Sequence, residues 1–200
     1  MGADAGFFDA VYAGAAGDDT AIPWQEHAAS RPLFDDWYQG LGESRGAPAL
    51  VVAAGLGDDA AALAEKGYAV TAFDAAPTAV EWARRRHPDA PVEWHVADLF
   101  DAPAAWAGAF ALVVEIFTVQ SIPLDLEVDA ARAIRGFVAP GGTLLAIALL
   151  GDPSGMDRPW PLAPHVVDAL IGDLTVQGRH GQPLGPGVEA VRFELQRPSS

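Results

Sequence analysis

Short apolar runs, most of them β-branched or alanine-rich, alternate along this chain with stretches whose apolar residues recur at helical spacing. A strand that is apolar on both sides must be buried on both sides, which is the pattern of a parallel sheet covered by helices. Five such runs follow one another: Ala49–Ala54, Tyr68–Phe73, Pro91–Val96, Phe110–Ile116 and Gly142–Leu149. The third carries Glu93 and His95, so it is expected nearer a sheet edge. Between the runs, 58–66 ends at Gly67 and 78–86 ends before Pro88, each a helix with a recognisable stop. Leu124, Val128, Ala131, Ile134 and Val138 recur three or four residues apart. That stripe predicts an amphipathic helix over 123–138, closed by a turn at Pro140-Gly141-Gly142.

Beyond Leu150 the pattern changes. The segment 151–164 is rich in proline and 178–187 is rich in glycine and proline, so both are expected to be loops. A helix candidate at 164–172 and strand candidates at 174–177 and 189–196 complete the chain. The expected fold class is α/β: a three-layer sandwich around a seven-stranded, mostly parallel sheet whose last strand returns through a hairpin and runs antiparallel.

Length and charge narrow the function. A chain of 200 residues, half of them apolar, is read as a single domain. Twelve basic against 27 acidic side chains leave a net charge of −15, which repels a polyanion and argues against nucleic acid as a partner. There is no cysteine, so disulfides, thiolate chemistry and sulfur-ligated zinc are ruled out, and no metal is expected. No basic stretch followed by an apolar run opens the chain at Met1–Asp9, and no run approaches the ~20 residues that span a bilayer. The expectation is a cytoplasmic enzyme without a membrane partner, a monomer or a small homo-oligomer, acting on a small molecule.

In an open α/β sheet, ligands bind beyond the carboxyl ends of the strands near the point where strand order reverses. The residues just after each predicted strand therefore carry the information. After the first come Gly55-Leu56-Gly57-Asp58-Asp59, a turn that lets a ligand approach the backbone closely. Asp74 follows the second, about twenty residues on, where a carboxylate accepts from both ribose hydroxyls. Asp98, beside Leu99 and Phe100, follows the third and is placed to accept from an adenine amino group; Glu115, Thr118 and Gln120 come at and after the fourth. Singly, the glycines are a turn, Asp74 a helix cap and Asp98 a loop residue. Their occurrence at successive strand ends is what points to one ligand.

The runs Val51-Val52-Ala53-Ala54-Gly55-Leu56-Gly57, Phe73-Asp74, Ala97-Asp98-Leu99-Phe100, Leu112-Val113-Val114-Glu115 and Pro140-Gly141-Gly142-Thr143 resemble the class I S-adenosylmethionine-dependent methyltransferases. Within that class they are most similar to the small branch of thiopurine and thiol S-methyltransferases and tellurite-resistance methyltransferases. Phe8–Tyr12, Pro23-Trp24 and Pro159-Trp160-Pro161-Leu162 extend the likeness. The resemblance implies a Rossmann-like core over 46–200 under an N-terminal helical cap over 1–45, with S-adenosylmethionine as cofactor and S-adenosylhomocysteine as product. It places Gly55, Leu56 and Gly57 along the methionine portion, Asp74 and Ala75 at the ribose, Asp98 and Leu99 around the adenine, Glu115 near the sulfonium, and Trp24 over the cofactor. Ala53 stands where the family pattern has its first glycine, and Val51 where it has an acidic residue.

Methyl transfer from a sulfonium is an in-line displacement that needs alignment and dryness more than acid-base machinery. A thiol ionises readily and needs no dedicated base, whereas an alcohol or phenol ordinarily wants one. Glu115 and His27 are the candidates for that role. Trp24, His27, Phe117, Gln120 and Trp160 are expected to line an aromatic acceptor pocket built from the N-terminal segment, the loop after the fourth strand and the late proline-rich loop. Two alternatives stand beside this reading. A nicotinamide-dependent oxidoreductase shares the glycine turn and distal carboxylate, but Ala60 replaces its third glycine, and Asp58 and Asp59 would oppose a pyrophosphate. A degenerate fold kept as a binding or partner-stabilising subunit would explain Ala53 and Val51.

Overall fold

The computed structural model describes residues 5–24, 29–155 and 158–199. Its centre is a seven-stranded sheet of β1 (Pro48–Val52), β2 (Ala69–Asp74), β3 (Val92–Val96), β4 (Phe110–Ile116), β5 (Val138–Leu150), β6 (Thr175–Gly185) and β7 (Val188–Gln196). The spatial order is β3-β2-β1-β4-β5-β7-β6, with β7 antiparallel to both of its neighbours and β1 to β5 parallel. Strand order therefore reverses between β1 and β4, and a crevice opens beyond their carboxyl ends.

Period-two side chains explain the layers. Leu50, Val52, Val113, Leu144 and Ala146 point to one face and pack with Ala130, Ala131 and Ile134 of α5 (Glu127–Gly136) and Val166 and Leu170 of α6 (Pro164–Ile171). Their sequence neighbours Ala49, Val51, Leu112, Val114 and Leu145 point the other way, onto Leu33, Phe34 and Trp37 of α2 (Arg31–Gly40) and Ala60 and Leu63 of α3 (Asp58–Glu65). The remaining helices are α1 (Ala5–Ala15) and α4 (Pro77–Arg86). They meet in a third cluster of Tyr12, Ala15, Ile22, Leu56, Ala76, Ala79 and Trp82, which fastens the N-terminal segment beside the crevice. No helix among the described residues is long and apolar enough to cross a membrane.

Three departures from the sequence expectation have local causes. The segment 178–187 is not a loop, because β6 runs through Gly185 as an edge strand along β7; Pro183, which has no N–H to donate, sits beside a register shift. The helix expected over 123–138 forms only over Glu127–Gly136; Leu124 is exposed, and Val138 already belongs to β5. Pro140 to Gly142 form an irregular start to β5 rather than a separate turn, since the β4–β5 register jumps between Phe110 and Leu112. β3 lies at an edge and is only half-buried, as its polar residues imply.

Arg192 of β7 secures α2 to the sheet. Its guanidinium is almost wholly buried and donates to the Leu33 carbonyl and the Asp36 carboxylate, each at 2.8 Å. Arg192→Ala removes both of these bonds between β7 and α2, and thermal unfolding is expected to show a loss of about 1–3 kcal/mol. Unchanged stability would show that α2 is held by its apolar face alone.

Candidate functional site

The crevice is built by what happens at the ends of β1, β2 and β4. β1 ends at Val52, and Ala53 then takes φ +49°, a left-handed conformation in which a Cβ is strained. Ala53 occupies the position where the family pattern has glycine, so the turn keeps glycine geometry without glycine. Gly57, at φ +84°, opens α3, and a Cβ there would collide with the Trp94 ring from β3.

Asp74 closes β2 and ties this turn down. Its carboxylate is buried and accepts from the Gly55 amide at 3.0 Å through Oδ2 and from the Ala76 amide at 2.9 Å through Oδ1. Burial pushes the Asp74 carboxyl above its ordinary value, while the amides of Ala76, Gly55 and Ala75 pull it back. Two chambers flank this point. One, of about 420 Å³, is lined by Gly55, Leu56, Gly57, Asp58 and Asp59 with Ser30 and Arg31 of the N-terminal side. The other, of about 200 Å³, is lined by Asp74, Ala75, Asp98, Leu99 and Phe100 on one side and Phe117, Ser121, Ile122, Pro123 and Leu126 on the other. Tyr12, Trp24, Val52, Ala53 and Ile116 line both and mark the constriction between them.

Residue by residue, the structure brings Trp24, Gly55, Leu56, Gly57, Asp74, Ala75, Asp98, Leu99 and Phe117 to the crevice wall. Asp98 also caps its own 3-10 turn by accepting from the Phe100 amide at 3.0 Å. Gln120 is not on the wall: it is fully buried, and its side-chain oxygen accepts from the Leu149 amide at 2.7 Å. Trp160 lies behind it, its amide donating to the Gln120 carbonyl at 2.9 Å, and its ring beneath Arg158. These two brace the late loop against β5. His27 lies outside the described residues.

Tyr12, Phe8 and Arg31 were not anticipated. Tyr12 is buried, and its hydroxyl oxygen accepts from the Trp24 indole N–H at 2.8 Å. Burial and the nearby Asp74 charge raise its phenol well above the ordinary value, so it stays a protonated hydroxyl. Phe8 and Tyr12 both meet the Trp24 ring edge-on, at 5.6 and 5.5 Å between centroids. Arg31 begins α2 and bridges Asp35 at 2.6 Å and Asp59 at 3.1 Å. Its position follows from the apolar spacing of Leu33, Phe34 and Trp37, which sets where α2 starts; the Phe8–Tyr12 stretch carried the only sequence signal for Tyr12.

Glu115 is wholly buried under the crevice floor and not on its wall. Oε2 accepts from the Thr118 amide at 3.0 Å, and Oε1 finds no hydrogen-bond partner among the described residues. The turn it braces holds Phe117 at φ +58°, a strained conformation that sets this ring in the smaller chamber. Burial pushes the Glu115 carboxyl up to about 7, against the opposing bonds from Thr118 and Val119. The folded protein thus holds this proton to higher pH than the unfolded chain does, so folding weakens as pH rises from the ordinary carboxyl value of 4.5 towards 7. Melting temperatures across this window should fall more steeply for the native protein than for Glu115→Gln; parallel curves would contradict the buried, protonated carboxyl. Ala53→Gly should raise stability by about 0.5–1 kcal/mol in the same assay, and a loss would show the turn to be unstrained.

The donor set suits an adenosylated amino acid: a buried carboxylate at mid-crevice, a second at its end beside apolar Leu99 and exposed Phe100, and a cation-and-carboxylate chamber beyond a glycine turn. Comparison with known proteins agrees. A family model described as a methyltransferase domain matches residues 49–142. An uncharacterized methyltransferase of Mycobacterium bovis is 31% identical over 136 residues, 67% of each chain. The 2-heptyl-1-hydroxyquinolin-4(1H)-one methyltransferase of Mycobacteroides abscessus is 28% identical over 120 residues, 56% of this chain and about half, 52%, of that relative's length. Among solved structures, the 1,6-didemethyltoxoflavin-N1-methyltransferase of Burkholderia thailandensis, with bound 1,6-didemethyltoxoflavin and S-adenosylhomocysteine, shares the fold at a TM-score of 0.69 and 17% identity, covering 98% of this chain and 89% of that one. By its sequence relatives, and with a sheet and switch-point crevice of the matching kind, the chain belongs to the class I S-adenosylmethionine-dependent methyltransferases.

Proposed function

We propose that this protein transfers a methyl group from S-adenosylmethionine to a small, uncharged, largely apolar or aromatic acceptor whose nucleophile ionises readily, such as a thiol or an acidic N-hydroxyl, with residues 1–45 capping a catalytic core over 46–200. The observation that carries the reading is the paired chamber around Asp74, one part polar and one part aromatic. Bound there, the cofactor supplies an electrophilic methyl on a sulfonium.

The chain's own residues divide the remaining work. Asp74 has oxygen lone pairs left after its two backbone bonds and accepts from the ribose hydroxyls; Asp98, Leu99 and Phe100 hold the adenine. Arg31 meets the methionine carboxylate, and Asp58 and Asp59 suit its ammonium group better than they would a pyrophosphate. Tyr12 and Trp24 roof the constriction, where the sulfur belongs, and keep water from it. Glu115 acts from below, holding Phe117 rather than touching the reacting atoms. The thiol-type acceptor expected from the family resemblance, and a heteroaromatic one, both fit a wall made of Phe8, Trp24, Phe117, Ile122, Pro123 and Leu126. The quinolone and toxoflavin acceptors in the names of two similar proteins support the second form.

Calorimetric titration separates this reading from its rivals: S-adenosylmethionine and S-adenosylhomocysteine should bind and a nicotinamide dinucleotide should not. Binding of the dinucleotide alone would refute it. Asp74→Ala should weaken binding of S-adenosylhomocysteine by about 1–3 kcal/mol, the scale of losing a buried charged partner, while circular dichroism shows a folded chain. Full affinity in that variant would place the ribose elsewhere.

A further inference from the structure

Helix α4 begins without a cap of its own. Its N-cap residue is Ala76, whose side chain accepts nothing, so the first-turn amides find partners elsewhere. The Ala76 amide turns back to Asp74. The Thr78 amide donates to Asp9 Oδ1 at 2.8 Å, across 69 residues of sequence and from a different helix, α1. One helix end therefore receives two carboxylates, that of the ribose site and one belonging to the roof. Like charges this near oppose each other, and the Asp9 charge adds to the burial that raises the Asp74 carboxyl. The positive end of α4 is what makes the pair tolerable.

Tyr12 lies one turn along α1 from Asp9, at the i,i+3 spacing that puts both on one face. Trp24 follows Tyr12 through its indole N–H. At the other end of α4, Arg86 pairs with Asp19 at 2.7 Å, holding down the segment that leads to Trp24. Between these polar ends the contact is apolar: Tyr12, Ala15 and Ile22 rest on Ala76, Ala79 and Trp82. That packing brings the two helices together, and the bond from the Thr78 amide to Asp9 adds a directional link at its edge that favours one rotation of α1.

We propose that Asp9 is a positioning residue for the cofactor site: by capping α4 from α1 it fixes the rotation of the roof helix and so places the Tyr12 hydroxyl at the constriction between the two chambers. The proposal rests on the adenosyl reading of the crevice. It also makes the roof and the ribose carboxylate share one anchor, so an adenosyl group held at Asp74 is covered by a helix fixed to the same point.

The test uses the full chain as native protein, Asp9→Ala, Asp9→Asn, Tyr12→Phe and the double variant D9A/Y12F. S-adenosylhomocysteine is titrated by calorimetry, and amide hydrogen exchange is followed over residues 6–15 without ligand. Asp9→Ala should weaken binding about five- to tenfold and speed exchange across α1. Asp9→Asn, whose amide oxygen still accepts from Thr78, should recover to within about twofold. In the Tyr12→Phe background the alanine change should cost less than about twofold more, as expected if Asp9 acts through Tyr12. Unchanged affinity in Asp9→Ala, no recovery in Asp9→Asn, or losses that add in full would overturn the positioning role. A native protein that takes up no S-adenosylhomocysteine would instead end the adenosyl reading, and this inference with it.

Discussion

A buried carboxylate without enough donors costs several kcal/mol, and Asp74 is placed where it cannot avoid that demand: at the last residue of β2, 7% exposed, with the sheet on one side and α4 on the other. It meets the demand by taking the Gly55 and Ala76 amides. Those two bonds join the glycine turn after β1, the end of β2 and the start of α4. Hydrogen bonds to a charged group contribute about 1.5–3 kcal/mol each, enough to hold a turn whose Ala53 is strained. The mouth of the crevice is thus set by one side chain, and the same side chain keeps lone pairs for a ligand. Structural need and binding capacity coincide there, which is why Asp74 reads as a cap and as a ribose acceptor with equal justice.

The second floor of the site has the same economy. Glu115 and Gln120 are both wholly buried, and each spends its side chain on backbone amides, Thr118 in one case and Leu149 in the other. Together they fix the turn after β4, force Phe117 into a left-handed conformation, and dock the late loop through the Gln120 carbonyl and the Trp160 amide. The aromatic wall of the smaller chamber therefore depends on polar groups that never reach it. The roof is different in kind. Ring pairs such as Phe8–Trp24 and Tyr12–Trp24 contribute about 0.5–1.5 kcal/mol each beyond area burial and tie the N-terminal segment to itself, while its apolar cluster with Ala76, Ala79 and Trp82 seats it on α4.

The sheet was legible because its strands are buried on both faces, and continuous apolar runs such as Phe110–Ile116 leave little freedom of assignment. The place of the crevice was legible in Gly55, Asp74 and Asp98, which follow successive strands, whereas the spatial order of the strands comes from the structure. What escaped the sequence was whatever depends on two segments meeting. The start of β6 was foreseen at 174–177, but its continuation was hidden because an edge strand facing solvent has no apolar alternation, and Gly178, Gly181 and Pro183 look like loop residues. Gln120 follows a strand end as a binding residue would, yet the 3-10 turn at Val119–Ser121 rotates it into the core. Tyr12 and Arg31 lie far from the strand ends in sequence and join the crevice only because α1 packs on α4 and α2 on β7.

Diffraction from crystals grown with S-adenosylhomocysteine tests the central claim most directly. The ribose hydroxyls should sit on the Asp74 carboxylate, the adenine between Asp98, Leu99 and Phe100, and the thioether sulfur beneath Tyr12, facing the chamber that Phe117 lines. Density for the adenosyl group in any other place, or a crevice filled by repacked side chains, would contradict the account.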